Sequence, residues 1–407
     1  MFVTVQSITV QSILREHYEA FAATHPLAPY QRAAAEKLRD CRTAALGGHV
    51  IACPHGCVAR IAYNSCRHRS CPQCSLLARE QWLDGWKARM LDCPHHHVIV
   101  TTPHDLLRLW RYNKRLYADA LFWAVSGALL ELLGDAAWLG ALPGLLAALH
   151  TWGQTLAAHV HLHVIVTAGG LTSSGQWREP KRECLLPRKV LMMKIRGKFR
   201  QRMLRLLNKG KLVLPPGTSA AYWRGVLNKA GRMTWNVQIR ERYRHGRAVA
   251  TYLANYLQGG PLHESRLLSC RDGVVRFRYR DNKDPADDGR GKRKVMPLPA
   301  ATFLSRLLEH VPEPGQQTSR GYGLYAGSKR AELNAARACQ GQPAAPPARD
   351  RARLTWQDLC ERLGRPESCR CPVCGTRLVV CYIFSRGRDP PDLSPWLLTS
   401  DQGQEAA

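Results

Sequence analysis

The stretch LHTWGQTLAAHVHLHVIVTAGGL, residues Leu149–Leu171, is the most informative part of the chain for its fold. Its apolar runs predict two strands, Thr151–Ala157 and His159–Thr167, joined by a tight connection. His161 and His163 are two residues apart, so on a strand both imidazoles project from the same face of the sheet. Two histidines placed in this way can hold a divalent cation, although a structural histidine pair is the default interpretation of this pattern alone.

Helical and strand patterns alternate around this stretch. His95–Pro103 predicts a strand and Asp105–Leu133 one long amphipathic helix, while Arg188–Lys211 and Gly246–Gln258 predict two further helices. A helix that lies between strands of one sheet is typical of an α+β domain. We therefore expect residues 93–260 to form such a domain.

Composition separates the chain into three regions. Residues 1–92 hold two short helical patterns, a cysteine cluster and a further helix. Residues 261–407 include the strand Gly273–Arg280, whose alternation places its basic side chains on one face. The segment Gly341–Asp350 is a linker, and a helix and a second cysteine cluster follow it. The expected domains are therefore 1–92, 93–260 and 261–407.

The chain is strongly basic. Its 407 residues include 59 Lys and Arg against 31 Asp and Glu, a formal net charge of +28. Such an excess opposes folding through self-repulsion, and its usual reason is a polyanionic partner that releases counterions on binding. A nucleic acid is therefore the expected partner. Since no charge-free run of about 18 apolar residues occurs and the N-terminus lacks a signal-peptide pattern, we expect an intracellular protein without a membrane span.

Basic residues are concentrated in Lys181–Lys211, where a helical pattern contains almost no acidic residue. A solvated charged helix normally mixes both signs, so we expect this helix to face DNA. Grooves that bind single strands combine basic side chains with aromatic side chains that stack on bases. Trp223, Trp235 and Tyr243 are the candidates for that stacking.

Fifteen cysteines are unevenly placed, with five between Cys53 and Cys74. Clustered cysteines in a basic intracellular protein indicate zinc, which takes four Cys or His ligands in pairs two to four residues apart. The spacing is Cys53-x3-Cys57-x8-Cys66-x4-Cys71-x2-Cys74. The preferred zinc set is Cys53, Cys57, Cys71 and Cys74. Cys66 either replaces one of these ligands or joins a second site with Cys41, His49 and His68.

A second cluster lies in CRCPVCGTRLVVC, residues Cys369–Cys381. Cys371 and Cys374 have the spacing of one half of a zinc knuckle. Cys369, Cys381 or Cys360 could complete this second zinc site. A hairpin with unligated thiols is the alternative.

Two tyrosines complete a catalytic hypothesis. Tyr252 and Tyr256, in VATYLANYLQGG, are four residues apart and share one face of a predicted helix. Two core aromatic residues are the alternative. A basic DNA-binding protein with this pair and the two histidines has the groups that phosphodiester transesterification requires, a metal ion on the phosphate and an oxygen nucleophile.

Several motifs, in order along the chain, resemble the HUH transposases of the insertion-sequence ninety-one family. LHTWGQTLAAHVHLHVIVTAGGL resembles the family's histidine motif, and CRTAALGGHVIACPHGC with YNSCRHRSCPQC resembles its zinc-binding domain. HVIVTTPHDLLRLWRYNKRLYADALF resembles its first strand and long helix, and YLANYL with SRLLSCRDGVVRFRYRD its tyrosine helix and the following strand. RGYGLYA and CPVCG also fit, so the resemblance extends from about Arg39 to Cys381.

This resemblance implies an α+β fold with an HUH endonuclease core, in which helices flank an antiparallel sheet. An N-terminal zinc-binding domain and a C-terminal zinc-knuckle region accompany that core. His161 and His163 would bind the catalytic Mg²⁺ or Mn²⁺, Tyr252 and Tyr256 would be the nucleophiles, and Zn²⁺ would be structural. HUH folds supply a third polar ligand, and Gln154 is the candidate for it.

The assignment of the family's ligands to this chain leaves alternatives at three positions. His159, two residues before His161, and Asn255, between the tyrosines, are rival third ligands. Ser70 stands where the family usually has a histidine before its Cys-Pro-x-Cys pair, and His68 could substitute for it. Arginine is common in the family where this chain has Asn255.

The function implied is that of a DNA transposase. It would cleave and rejoin single-stranded DNA at element ends through a 5′-phosphotyrosine intermediate, in rolling-circle transposition. The expected partner is a single-stranded or hairpin DNA end in a bacterial nucleoid, and host replication proteins are further candidates. A plasmid replication initiator or relaxase with the same chemistry and a non-catalytic zinc-dependent DNA-binding protein are the alternatives. A zinc hydrolase is disfavoured, because no Glu base accompanies the histidines.

Overall fold

The structure is a computed structural model that describes residues 8–180, 185–240, 242–244, 250–251, 254, 259–286, 291–347, 354–365 and 368–397. The chain divides into two compact units. The first comprises Met1–Gln81, Gln258–Val311 and Ala352–Ala407, and the second comprises Trp82–Leu257 and Pro312–Arg351. This division differs from the three consecutive domains expected from composition, because residues 261–407 contribute to both units.

The chain forms the helices α1 (Val10–Thr24), α2 (Pro29–Arg39), α3 (Leu76–Lys87), α4 (Leu107–Tyr112), α5 (Lys114–Gly134), α6 (Arg188–Asn208), α7 (Ala220–Ala230), α8 (Ala300–Glu309), α9 (Arg330–Ala338) and α10 (Trp356–Arg362). Its strands are β1 (Gly48–Ala52), β2 (Ala59–Tyr63), β3 (His95–Thr101), β4 (Gly144–Trp152), β5 (Ala158–Thr167), β6 (Gly170–Leu171), β7 (Trp177–Arg178), β8 (Asn236–Ile239), β9 (Leu267–Arg271), β10 (Val274–Pro285), β11 (Gly291–Pro299), β12 (Ser319–Gly323) and β13 (Val379–Phe384). The expected mixture of helices and antiparallel sheet is confirmed.

The second unit is built on an antiparallel sheet with the strand order β12-β4-β5-β3-β8. The sequence predicts the β4–β5 hairpin. The expected first strand began at Thr151, whereas β4 ends at Trp152, so the prediction placed this strand too late in the sequence. Residues 153–157 form the turn, where the Gly153 N–H donates to the Ala157 carbonyl at 2.9 Å. Leu156 takes the left-handed conformation there, with φ +62°.

One face of this sheet is covered by helices. Val98, Leu145 and Leu162 point to that face and pack with apolar residues of α5, α6 and α7. By length and composition α5 could also cross a membrane, but 61% of its apolar window is buried inside the unit. It therefore packs as the core helix of this unit.

The expected helix Asp105–Leu133 is interrupted at Asn113, which separates α4 from α5. The Asn113 side-chain amide donates to the Val213 carbonyl at 2.8 Å and its oxygen accepts from the Val213 N–H at 2.9 Å. These bonds hold Asn113 at φ −140° and ψ 38°, outside the helical region.

Tyr325 lies within the RGYGLYA motif and is fully buried. Its hydroxyl accepts the Leu91 N–H at 3.1 Å and lies 2.8 Å from His95 Nε2. Its ring packs against Gly144, where an added Cβ would lie 2.9 Å from a ring carbon, so a side chain there would displace the ring. Tyr325 thus contacts the first residue of β4, Gly144, and the first residue of β3, His95.

In the first unit, the described strands form two antiparallel sheets, with the orders β13-β1-β2 and β11-β10-β9. β13 pairs with β1 so that Phe384 lies opposite Gly48. A Cβ on Gly48 would lie 2.5 Å from the Phe384 ring, so only glycine fits at this contact. This pairing joins a strand from the first part of the sequence and a strand from the last part in one small sheet.

Candidate metal centres

Three histidines come together on the face of the sheet opposite α5. β4 supplies His150, which lies directly opposite His161 on β5, and His163 follows two residues later on the same face. The three candidate ligand nitrogens all lie within 4.8 Å of one another. His150 and His163 are buried and His161 is half-buried. This arrangement has the ligand count of an open, catalytic type of metal site.

Neighbouring groups orient two of these rings. His161 Nδ1 lies 2.8 Å from the His159 carbonyl, and since a carbonyl only accepts, Nδ1 carries the proton. His163 Nδ1 lies 2.8 Å from His97 Nε2. Both contacts leave Nε2 as the metal-binding nitrogen, as in metal sites whose histidines use the other ring nitrogen to hold a supporting group.

The trio is neutral near pH 7. The pKa of His161 is lowered to about 4, mainly by burial, and the charges of His159 and His97 act in the same direction. Burial also lowers the pKa of His150 and of His163, again with the help of the surrounding imidazoles. Neutral imidazoles keep a lone pair for a metal, so the site fits a divalent cation. Three imidazole ligands suit Mn²⁺ better than Mg²⁺, which prefers oxygen ligands.

His150 was not identified from the sequence as a ligand. The expected strand began at Thr151, so His150 lay outside the expected hairpin, whereas β4 ends at Trp152 and includes His150. Gln154, the residue expected as third ligand, lies instead in the turn of residues 153–157. Its role as a ligand stays a prediction. His159 contacts the trio through its carbonyl oxygen, at His161.

The predicted nucleophiles Tyr252 and Tyr256 lie outside the described residues, as does Asn255. Ala250 and Ala254, on either side of Tyr252 in the sequence, are described and buried. They belong to the apolar cluster of the histidine-bearing face, which includes Ala148 and Ile165. Described neighbours of Tyr252 thus pack on the face that carries the three histidines.

Two groups of four cysteines form separate candidate zinc sites. The first consists of Cys41, Cys66, Cys71 and Cys74, and the second of Cys53, Cys57, Cys371 and Cys374. Sγ–Sγ distances are 3.6 Å between Cys66 and Cys74 and 3.5 Å between Cys53 and Cys374. These distances are near the edge of about 3.8 Å that a tetrahedron of thiolates at 2.3 Å from zinc requires. Both groups therefore fit Zn²⁺.

Local hydrogen bonds favour thiolates in both groups. The Cys66 N–H points at Cys41 Sγ at 3.5 Å, and the Val373 N–H at Cys371 Sγ at 3.4 Å. Hydrogen bonds with Thr376 lower the pKa of Cys374 to about 5. A thiolate is the form that binds zinc.

The structure groups these cysteines differently from the preferred sequence set. Cys53 and Cys57 join Cys371 and Cys374, whereas Cys71 and Cys74 join Cys66 and Cys41. The physical cause is the β1–β13 pairing, which carries the C-terminal pair to the N-terminal one across the length of the chain. The four-cysteine groups do not include His49, His68, Cys360, Cys369 or Cys381.

The basic helix expected within Lys181–Lys211 is present as α6, Arg188–Asn208, and residues 181–184 lie outside the described residues. The structure changes which aromatic residues are candidates for base stacking. Trp223 and Trp235 are buried in the core, so they are not available to stack on bases, whereas Tyr243 is 38% exposed. Trp123 of α5 is exposed to the same extent. It lies beneath two α6 cations, with Lys198 Nζ 5.5 Å from its ring centroid and Arg202 Cζ 5.9 Å.

Two family models match two separate stretches of the chain. A family model described as "Transposase zinc-binding domain" matches residues 13–102, and one described as "Putative transposase" matches residues 144–332. The histidine trio lies in the second match, and the first four-cysteine group lies in the first. No solved structure matches the chain.

Two relatives match over most of their length. The "Putative transposase y4qJ" of Sinorhizobium fredii is 33% identical over 390 residues, which are 94% of this chain and 97% of that protein. The "Transposase for insertion sequence element IS801" of Pseudomonas savastanoi pv. phaseolicola is 29% identical over 356 residues, 86% of this chain and 83% of that protein. The resemblance stated from the motifs is thereby confirmed, and the chain belongs to the insertion-sequence ninety-one family of transposases.

Proposed function

We propose that this transposase cleaves and rejoins single-stranded DNA at element ends, using a tyrosine nucleophile and a divalent metal ion in rolling-circle transposition. The observation that carries the proposal is the trio His150, His161 and His163 on one face of the central sheet. Their candidate ligand nitrogens lie within 4.8 Å of one another, and burial keeps the imidazoles neutral, so their lone pairs can bind a metal ion.

The protein residues have distinct tasks in this reaction. His150, His161 and His163 would hold the cation through nitrogens that burial keeps unprotonated. His97 and the His159 carbonyl hold two of the rings in position. When bound, the cation would polarise the scissile phosphate and offset the negative charge that develops on it.

Tyr252 or Tyr256 would be the attacking group. The tyrosine hydroxyl gives up its proton, and its oxygen forms a bond to phosphorus while the bond from phosphorus to the 3′ oxygen breaks. The 3′ oxygen takes up a proton and leaves as a hydroxyl, and the 5′ phosphate stays on the tyrosine. The burial of Ala250 and Ala254 in the cluster of the histidine-bearing face supports this assignment.

The covalent link retains the energy of the phosphodiester, so rejoining needs no nucleotide hydrolysis. The released 3′ hydroxyl can prime replication or attack a phosphotyrosine. A second tyrosine allows a second cleavage before the first strand is released. Two nucleophiles therefore suit the transfer of a strand from donor to target.

The test is a denaturing gel of the full chain with Mn²⁺ and labelled single-stranded DNA from the ends of its own element. We expect a protease-sensitive covalent adduct that is lost in the double variant Tyr252→Phe/Tyr256→Phe and in His163→Ala. Tyr243→Phe is the matched control, since Tyr243 is exposed and has no proposed role in chemistry. Adduct formation that survives the double variant would refute the tyrosine assignment, and binding without any adduct would favour a non-catalytic DNA-binding protein.

A further inference from the structure

The β10–β11 hairpin of the first unit extends beyond the sheet to which it belongs. β9 pairs with β10 only from Val274 to Phe277, whereas the β10–β11 pairing continues to the partners Pro285 and Gly291. The hairpin beyond Phe277 is therefore a two-stranded ribbon. Ribbons of this kind have the width to enter the major groove of duplex DNA.

The two faces of the hairpin differ in chemistry. Val275 and Phe277 are fully buried, and Phe277 packs against Phe303 of α8 with ring centroids 6.0 Å apart. Arg276 and Arg278 alternate with them and are exposed on the opposite, outer face. The same face receives the following residues from the paired strands: Ser269, Arg271, Arg293, Val295 and Pro297.

Positive charges on the outer face stand close together. Arg280 lies directly opposite Arg293, and like charges in that position destabilise a sheet. Among the described acids of the hairpin, Asp281 and Asp284 pair with Lys294 at 2.8 Å and 3.1 Å. The pairing register puts Lys294 opposite Tyr279, on the other face from Arg280.

We propose that the outer face of the β10–β11 hairpin binds duplex DNA, through arginine contacts to its phosphates. The exposed Arg276 and Arg278 would neutralise phosphates of a polyanion, and each neutralised phosphate releases counterions, which favours binding. Arginine suits this role because its planar guanidinium reaches phosphate oxygens in pairs. The outer face described above carries arginines and small or apolar residues.

A duplex fits this face better than a single strand. Proteins that bind single strands stack bases on aromatic side chains. On the described outer face, no residue of β9, β10 or β11 is aromatic, since Phe277 and Tyr279 alternate to the other side. The inference extends the proposed function, because an element end presents a duplex flank or hairpin stem besides the cleaved strand.

The test compares two full-length triple variants. Arg276→Gln/Arg278→Gln/Arg293→Gln removes three charges from the outer face. Arg32→Gln/Arg386→Gln/Arg388→Gln removes three charges from other exposed positions of the same unit. Anisotropy is measured with a fluorescent duplex and a single strand of equal length over a range of salt concentrations. Circular dichroism and zinc content verify the fold.

We expect the outer-face variant to weaken duplex binding by at least about tenfold at 0.1 M salt and to reduce the salt slope by about 2 to 3. Single-strand affinity and adduct formation on a single strand should change by less than about threefold, so the result is independent of whether the tyrosine chemistry is correct. Equal losses in both variants, or a larger loss for the single strand, would overturn the proposal.

A second pair of variants tests the same face without removing an arginine. Val295 lies opposite Arg278 on the outer face and is 51% exposed. Val295→Glu places an acid among the arginines, whereas Val295→Gln is nearly the same in shape and neutral. Duplex affinity should fall at least about tenfold more for Val295→Glu than for Val295→Gln, and equal affinities would count against the proposal.

Discussion

His150 and His161 lie directly opposite each other on β4 and β5, with ring centroids 5.3 Å apart. Opposite residues of an antiparallel pair share one face, so this register adds a third imidazole to the two of the His161-Leu162-His163 triplet. The His163 ring centroid is 4.3 Å from that of His150. The candidate site is therefore a property of the hairpin register as well as of the triplet.

Removal of His150 should abolish tight metal binding. In His150→Ala the cation would retain two of the three imidazoles, and we expect the dissociation constant for Mn²⁺ to rise by about 100-fold or more. Electron paramagnetic resonance of free Mn²⁺ during a titration measures this constant. The adduct with single-stranded DNA should be lost in parallel.

Gln154→Ala provides the comparison, because Gln154 lies in the turn next to the same strands. We expect its Mn²⁺ affinity to stay within about threefold of the parent protein. A loss as large as that of His150→Ala would instead establish Gln154 as a ligand, and unchanged binding in His150→Ala would exclude His150.

Metal affinity should depend little on pH above about 5.5. Burial lowers the pKa of His161 to about 4 and lowers that of His150, so protons compete with the cation only when the pH approaches those values. Ligands with the ordinary histidine pKa of about 6.5 would each lose roughly tenfold in affinity between pH 7.5 and 5.5. We expect a total loss below about threefold.

The measurement is a Mn²⁺ titration at several pH values between 7.5 and 5.5, with circular dichroism to show that the fold persists. A steep loss of affinity that begins near pH 6.5 would mean that the histidines titrate as exposed groups. In that case the buried arrangement of the trio would be incorrect.

His97 should act as a positioning residue. Its Nε2 lies 2.8 Å from His163 Nδ1 and so fixes the ring that presents His163 Nε2. His97→Ala should weaken Mn²⁺ binding by about 10- to 100-fold, as the loss of such supporting groups does in other metal sites. His97→Gln should recover part of the affinity, because an amide oxygen can accept the same hydrogen bond. Equal affinities for the two variants would point to a packing effect.

Trp223 should contribute to stability and not to base stacking. It is 1% exposed and its indole N–H donates to Thr218 Oγ1 at 2.9 Å. Trp223→Ala should lower the free energy of unfolding by about 3 to 5 kcal/mol, the usual cost of such a core truncation. Urea denaturation measures it, with Trp123→Ala as the exposed control. A small loss for Trp223→Ala would contradict the buried placement.

The periodicity of apolar and basic residues predicted individual strands and helices of the site. The alternation through His161 and His163 identified β5, and the helical pattern of basic residues identified α6. His150 was missed because the turn at Gly153 and Leu156 determines where β4 ends. Leu156 has a positive φ there, a conformation that cannot be predicted from a leucine in the sequence. The pairing of strands, and hence which histidines meet, depends on that turn.

The zinc groups show the same limit at longer range. Spacing paired Cys371 with Cys374, but the two cysteines that group with them, Cys53 and Cys57, lie more than 300 residues earlier in the sequence. The pairing of β13 with β1 brings the two pairs together. A pairing between strands so far apart leaves no signal in local spacing.

That long-range pairing gives a last prediction. The two four-cysteine groups imply about two zinc ions per chain, and Cys371→Ser/Cys374→Ser should leave about one. Cys381→Ser should keep both, because Cys381 lies outside the groups although it is on β13. Zinc content by elemental analysis measures this, and loss of the second zinc should also loosen β13, seen as faster amide exchange at residues 379–384. If the double variant retained two zinc ions, or if Cys381→Ser lost one, the C-terminal pair would not complete the N-terminal site.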